Sequence, residues 1–296
     1  MTKPTIGFVG LGLMGAAMVE RLQARGYPLT VLANRSRTAV DAAVARGASE
    51  VKTARDLALK SQIIMLCIDT SKSVEGRMLG NDGVIAGLRP GSVVIDFGTS
   101  LPGSTQALGE KVAAEGAQML DAPLGRTPAH AVDGLLNIMA SGDKDTFDMV
   151  KPVLDDLGEN VFHLGPLGSG HTIKLINNFF AMTTANAMCE AFAIAELAGV
   201  APSDLYDVMS AGPLRSGMMD FMKAYAIDGD PAMLAFAVKN ASKDVGYYRQ
   251  MTNGLGAQSI MSRSASEGLT QAVEAGRGDM MIAEMLDFYR QKYARS

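Results

Sequence analysis

The sequence predicts an α/β fold, with an N-terminal half built on a mostly parallel sheet and an all-α C-terminal half. Three observations predict it. Short apolar runs alternate with amphipathic segments as far as residue 164, the pattern of repeated βα units. Several of those runs are apolar on both faces, as strands covered by helices on either side must be. From Gly168 onward no convincing strand remains, and Met, Ala and Leu recur at helical period.

Taken in order, the strand candidates are Thr5–Val9, Leu29–Ala33, Ile63–Ile68, Ser92–Asp96, Gln118–Asp121, Leu135–Ala140 and Asn160–Leu164. Helical patterns fall between most of them, among them Met14–Arg25, Thr38–Arg46, Ser104–Glu115 and Lys144–Asp156. The turn-rich run Gly165-Pro166-Leu167-Gly168-Ser169-Gly170 punctuates the change of pattern. The expected domains are therefore 1–164 and 165–296. No internal repeat or low-complexity tract interrupts them.

A length of 296 residues exceeds one compact core and suits two domains. The formal charge of -4 supplies no general basic field, so nucleic acid is not an expected partner. Cys67 and Cys189 lie far apart in apolar stretches, which argues for a reducing compartment and against a disulfide framework or zinc site. Lys3 and the apolar run after it superficially resemble a secretory signal, but Gly7, Gly10, Gly12 and Gly15 interrupt the run. The apolar stretch 179–201 carries Asn186, Glu190 and Glu196, each costly in a bilayer, so it reads as a buried helix. A cytoplasmic protein with no membrane partner and no metal is expected.

Gly10-Leu11-Gly12-Leu13-Met14-Gly15 is a G-x-G-x-x-G run between a strand and a helix, the context that gives the pattern meaning. Gly10 permits the tight turn, Gly12 lets a pyrophosphate approach the backbone, and Gly15 allows close helix–strand packing. The phosphates would then face a helix N-terminus. A Rossmann domain binding a nicotinamide dinucleotide is the expectation, against the plainer reading of a glycine turn without a ligand. At the end of the second strand an NAD site usually has a carboxylate for the ribose hydroxyls. Here stand Asn34-Arg35-Ser36-Arg37. Arg35 can pair with a 2′-phosphate while Asn34 and Ser36 donate to it, which favours NADP and leaves NAD open. Solvated loop arginines are the alternative.

Two further stretches carry polar groups in apolar surroundings. In Gly168-Ser169-Gly170-His171-Thr172-Ile173-Lys174-Leu175-Ile176-Asn177-Asn178, Lys174 and Asn178 stand at i and i+4 of a helix, with Asn177 beside them. Buried unpaired, these groups would be costly, so they need polar company. The plainer reading is a snorkelling lysine and two structural amides. In Asp121-Ala122-Pro123-Leu124-Gly125-Arg126-Thr127-Pro128, Arg126 follows a strand end, where sheet crevices hold ligands, and could bind an anion. The plainer reading is an exposed turn arginine.

The glycine loop, the Asp-Ala-Pro run, the Gly-x-Gly-x-x-x-Lys-Leu-x-Asn-Asn helix and Lys243-Asp244 stand in the order found in the β-hydroxyacid dehydrogenases, and the chain resembles that family over essentially its whole length. The resemblance implies that Lys174 gives and takes the proton, that Asn178 helps hold the substrate, and that Lys243 lies near the cofactor. It implies Thr99 beside the nicotinamide ribose, and a homodimer or homotetramer. Most members follow Asp-Ala-Pro with Val-Ser-Gly-Gly, whereas this chain has Leu124-Gly125-Arg126-Thr127. That run is similar to the 3-sulfolactaldehyde reductase branch, which also reduces succinic semialdehyde, and a sulfonate's three oxygens suit a forked donor.

The site expected is thus catalytic Lys174, with Gly125, Arg126, Thr127, Asn177 and Asn178 on a short anionic aldehyde or hydroxyacid. Cofactor contacts fall to Gly10, Leu11, Gly12, Leu13, Met14, Gly15, Asn34, Arg35, Ser36, Thr99 and Lys243. His130, His163 and His171 are expected in packing or loop roles, with His130 nearest the substrate loop. A carboxylate semialdehyde reductase, an imine reductase and a non-catalytic dinucleotide sensor are the alternatives.

Overall fold

A computed structural model describes residues 2–33 and 37–294. The chain divides into two compact units, Met1–Lys174 and Leu175–Ser296.

The first unit is built on a six-stranded sheet of β1 (Ile6–Val9), β2 (Leu29–Leu32), β3 (Ser49–Val51), β4 (Ile63–Leu66), β5 (Val93–Asp96) and β6 (Gln118–Asp121). The strands are all parallel and run β3-β2-β1-β4-β5-β6. Alternation along each strand feeds two cores. Ile6, Phe8, Leu29, Val31, Ile63, Met65, Val93 and Ile95 face one layer, where Met18, Val19 and Leu22 of α1 (Leu13–Ala24) and Val150 and Leu154 of α7 (Lys144–Leu157) cover them. Val9, Leu32, Ile64, Leu66 and Val94 face the other, under Leu57 of α3 (Ala54–Leu59), Val74 of α4 (Ser71–Met78) and Leu108 and Val112 of α5 (Pro102–Ala114). Each fully buried Leu, Ile or Val contributes about 1.5–3 kcal/mol. Side-chain caps fix several helix starts: Thr53 accepts from the Asp56 amide and Asp143 from the Thr146 amide.

All seven expected strands are present, with ends shifted by a residue or two as fraying allows. Two strands were not foreseen. Strand β3 lies at the sheet edge with Ser49 and Glu50 exposed, so it lacks the apolar run that marks a buried strand. Strand β7 (Leu124–Gly125) has two residues, too few for a period, and lies in the stretch read as a loop. It pairs antiparallel with β8 (Leu136–Ala140), which pairs parallel with β9 (Gly158–His163), so the last two expected strands form a second sheet of three. Between β7 and β8 lie residues 126–135, including the short helix α6 (Pro128–Asp133).

Helix α8 (Ser169–Leu197) begins in the first unit and runs into the second. The second unit adds α9 (Pro202–Ser210), α10 (Gly217–Ala226), α11 (Val238–Gly254), α12 (Ile260–Ala272) and α13 (Met285–Ala294). Its core is rich in methionine: Met182, Met188, Met219, Met222 and Met285 pack with Phe192, Leu269 and Tyr289. The apolar stretch of α8 is thus a core helix, and among the described residues no helix is long and apolar enough to cross a membrane. Burial pushes the Cys189 thiol up to about 12. Iodoacetamide at mildly alkaline pH is therefore expected to leave Cys189 unlabelled in the native protein and to label it once guanidinium unfolds the chain, as peptide mass mapping would show. Rapid native labelling would mean that this core opens readily.

Candidate active site

The glycine loop sits where the strand order reverses. Strand β1 lies between β2 and β4, and ligands of open α/β sheets bind beyond the carboxyl ends at such a point. Gly10 has φ 98°, a left-handed conformation natural to glycine, and a Cβ there would fall 2.3 Å from the Cys67 carbonyl oxygen. A Cβ on Gly15 would lie 2.0 Å from the Gly10 carbonyl oxygen, so this residue sets how closely α1 approaches the loop. A Cβ on Gly12 would meet nothing within 4 Å. Gly12 is also the N-cap of α1, with no side-chain cap and no acidic residue in the first turn. That open, uncapped N-terminus fits a dinucleotide pyrophosphate. Leu11 and Met14 pack on the core, while Leu13 is 85% exposed. Asn34, Arg35 and Ser36 lie outside the described residues. Arg37, which follows them, is exposed and bonded to Glu50 and Asp41.

Strands β5 and β6 both end in a fully buried aspartate. Asp96 accepts from the Gly98 amide at 2.9 Å and from the Ser100 hydroxyl at 3.0 Å, which fixes the turn holding half-buried Thr99. Burial raises the Asp96 carboxyl above the usual range, with His171 and these donors opposing the shift. Asp121 accepts the Gly168 amide at 2.7 Å on one oxygen and the His171 amide at 2.7 Å on the other. Ser141 donates to Asp121 and accepts the Gly170 amide at 2.8 Å. His171 is fully buried, and its Nδ1 lies 2.8 Å from Thr105 Oγ1 on α5. The same ring stands 3.8 Å from Asp96 Oδ2 and 3.7 Å from Asp121 Oδ2. Sequence reasoning placed Thr99 beside the ribose and gave His171 ordinary packing, and assigned no role to Asp96, Ser100, Thr105, Asp121 or Ser141. The available signal was a carboxylate closing each of two apolar runs, since such groups demand donors.

The stretch read as the substrate loop runs along the second sheet. Gly125 closes β7, and Arg126 follows with φ 78°, the one left-handed non-glycine among the described residues. Its Nη1 donates to the Leu135 carbonyl at 2.7 Å and to Glu159 of β9 at 2.5 Å, so the guanidinium is held by an ion pair rather than standing free. Thr127 Oγ1, exposed at the start of α6, lies 2.7 Å from Nδ1 of half-buried His130 within that helix.

Helix α8 carries Lys174, half-buried and one turn past His171, with exposed Asn177 and buried Asn178 one turn further. Within the second unit, Asn178 Nδ2 donates to Asp244 Oδ2 on α11 at 2.7 Å, and Asn177 Nδ2 donates to Asn178 Oδ1 at 3.2 Å. Lys243 Nζ lies 3.0 Å from Asp244 Oδ1 and 5.4 Å from the Tyr247 ring centroid. Asp244 is almost fully buried and orients both its neighbours, a duty not assigned to it from sequence. Among the described residues no group of three or more His, Cys, Asp or Glu is placed to hold a metal. A cleft of about 530 Å³ in the second unit, lined by Arg249, Asn253, Ser262 and Arg263 among others, includes none of the candidate residues.

A parallel 3-2-1-4-5-6 sheet with this loop at the switch point, followed by a helical unit, is the architecture of a dinucleotide-binding protein. Residues 5–165 match the family model for the NAD binding domain of 6-phosphogluconate dehydrogenase, and residues 168–289 that for the NAD-binding region of NADP-dependent 3-hydroxyisobutyrate dehydrogenase. The chain belongs to the β-hydroxyacid dehydrogenases, NAD(P)-dependent enzymes acting on CH–OH groups. It is 34% identical to an NAD-dependent L-serine dehydrogenase of Pseudomonas aeruginosa over 69% of this chain and 68% of that one. It is 29% identical to 3-sulfolactaldehyde reductase of Escherichia coli over 96% of this chain and 95% of that one. The 3-hydroxyisobutyrate dehydrogenase of Mycobacterium tuberculosis, solved with L-serine, shares the fold with a TM-score of 0.85 at 23% identity, covering 98% of this chain and 100% of that one.

Proposed function

We propose that this enzyme reduces a short anionic aldehyde with NADPH, 3-sulfolactaldehyde before a carboxylate semialdehyde, and that Lys174 supplies the proton. The observation that carries the reading is the polar stripe of α8. Lys174 shares a helix face with Asn178, whose amide is fixed by a buried carboxylate and so cannot turn away. A binding module has no need for a lysine held in such company.

Gly10, Gly12 and the first turn of α1 would hold the pyrophosphate, with Thr99 and Lys243 at other parts of the dinucleotide. Held there, NADPH would supply a hydride for the carbonyl carbon. Lys174 polarises the carbonyl oxygen and delivers a proton from Nζ as charge grows there. Asn177 and Asn178 orient the substrate, and Gly125, Arg126 and Thr127 recognise its distant anion. Arg126 can do so by exchanging Glu159 for the substrate, a swap of like charges that costs little at a part-exposed pair. The full-length likeness to the sulfolactaldehyde enzyme supports the sulfonate. The L-serine dehydrogenase relative favours a second reading, oxidation of a β-hydroxy amino acid with NAD.

Initial rates with 3-sulfolactaldehyde, succinic semialdehyde and L-serine, each with both cofactors, separate these readings. NADPH-linked reduction of the sulfonate with the highest kcat/KM is the expected result, and NAD-linked oxidation of L-serine alone would replace the proposal. Arg126→Gly gives a second test. Relief of about 1–2 kcal/mol of left-handed strain offsets the lost half-exposed ion pair, so Tm should hold or rise slightly. KM for the anionic aldehyde should rise about tenfold or more, the loss of one charged contact. An unchanged KM would remove Arg126 from substrate recognition.

A further inference from the structure

We propose that Asp121 and Ser141 are positioning residues for Lys174, fixing the start of its helix against the carboxyl end of the large sheet. The inference deepens the reading of Lys174 as proton donor and rests on it.

A helix begins with amide groups that lack intrahelical acceptors, and these are ordinarily met by a side chain just before the first turn. Helix α8 is served differently. The Gly168 and His171 amides go to the two oxygens of Asp121, which lies 47 and 50 residues back in the chain at the end of β6. The Gly170 amide goes to Ser141, which follows β8 and itself donates to Asp121. An isolated antiparallel bridge between Asp121 and Ser141 holds the two acceptors side by side. Thr105 adds a fourth tie through the His171 ring, from α5.

The fit is close enough to forbid a side chain on the helix. A Cβ on Gly170 would fall 2.2 Å from the Met139 carbonyl oxygen and 2.8 Å from Asp121 Oδ2. This gives physical content to the Gly-x-Gly that precedes the lysine: glycine at 170 lets the helix start rest on the sheet. Lys174 lies one turn beyond these ties and is the last residue of the unit that holds the glycine loop. All the pinned atoms are buried, so the contacts are made in a medium where charged hydrogen bonds are strong. A lone cap would stabilise the helix. Three backbone ties and one side-chain tie, from three separate elements, also determine where on the sheet the helix starts, and so where its sixth residue stands.

Asp121→Asn keeps one acceptor but turns an NH2 toward an amide that needs an acceptor, shifting the first turn without emptying the site. A proton donor displaced by about 1 Å can cost on the order of 10²-fold in rate. The expected result is a kcat lowered by that order, KM for NADPH unchanged, and a larger solvent deuterium isotope effect on kcat, because proton transfer has become slower than the other steps. A loss of folded enzyme alone would reduce kcat and leave the isotope effect where it was. That outcome, or a kcat at the wild-type value, would overturn the proposal. Should Asp121→Asn fail to fold, Ser141→Ala carries the same test through the Gly170 amide, with a smaller expected loss of about tenfold. Lys174→Ala keeps the two claims apart. If it turns over like wild type, the proton-donor reading itself fails and this role with it; if it is inactive while Asp121→Asn and Ser141→Ala keep the wild-type isotope effect, only the positioning role fails.

Discussion

Lys174→Ala is expected to lower kcat for aldehyde reduction by about 10³-fold, within the 10²–10⁴ that a positioned general acid supplies. The substitution removes a half-buried ammonium from a helix surface and creates no cavity in any of the three cores, so Tm should change by no more than about 3 °C. The glycine loop is untouched, and titration of NADPH by fluorescence should give the wild-type Kd. A drop in kcat with intact cofactor binding separates a lost proton donor from a lost cofactor site. Lys174→Arg should fall between the two, because a guanidinium keeps the charge that polarises the oxygen but does not release its proton at working pH. Wild-type turnover in Lys174→Ala would return the lysine to the plainer reading of a snorkelling side chain.

The large sheet was legible because its physics is repetitive. A strand covered on both faces must be apolar along its length, and Ile6–Val9, Ile63–Leu66 and Val93–Asp96 are, except where glycine allows close packing or aspartate ends the strand. Strand β3 was not, since an edge strand with one buried side chain out of three leaves no period to read. The split of the last strands into a second sheet was also hidden. It turns on the two-residue β7 and on pairings between residues far apart in sequence, which local patterns do not encode.

The candidate residues show the same division. Lys174, Asn177 and Asn178 could be named as candidates because helical spacing is a local property, and the three do share one helix. The groups that bond the start of their helix and the Asn178 amide were not, because the Asp121, Ser141 and Asp244 contacts are closed only by the fold. Arg126 illustrates a third case. Its identity and loop were plain in the sequence, but Glu159, the partner that governs its availability, lies on a strand 33 residues away.

The contrast between Gly12→Ala and Gly15→Ala should be nearly as large as the loss at Lys174, and it divides ligand from scaffold. Gly12 has φ -74° and ψ -165°, a conformation open to any residue, and its Cβ would meet nothing within 4 Å. Nothing inside the protein therefore requires glycine at 12. Alanine there should leave Tm unchanged or raise it slightly, since it restricts the unfolded chain by about 0.4–1 kcal/mol. The requirement comes from outside, because the added methyl stands where a pyrophosphate would approach the backbone. NADPH affinity should fall about tenfold or more, the effect of ~1.4 kcal/mol of steric and hydrogen-bond loss. Gly15 is the opposite case. Its Cβ would press on the Gly10 carbonyl oxygen at 2.0 Å, and a backbone atom held by β1 cannot swing aside. Helix α1 would have to lift from the sheet, uncovering its own fully buried Met18, Val19 and Leu22. A cost of about 3 kcal/mol is expected, a fall in Tm on the order of 10 °C. Thermal melts of the two variants with and without NADPH read both effects at once: Gly12→Ala should melt like wild type and lose most of the ligand-induced rise, while Gly15→Ala should melt early in either condition. If Gly12→Ala kept the full NADPH-induced rise, the pyrophosphate would not lie over this loop, and the cofactor assignment of Gly10 to Gly15 would have to be withdrawn.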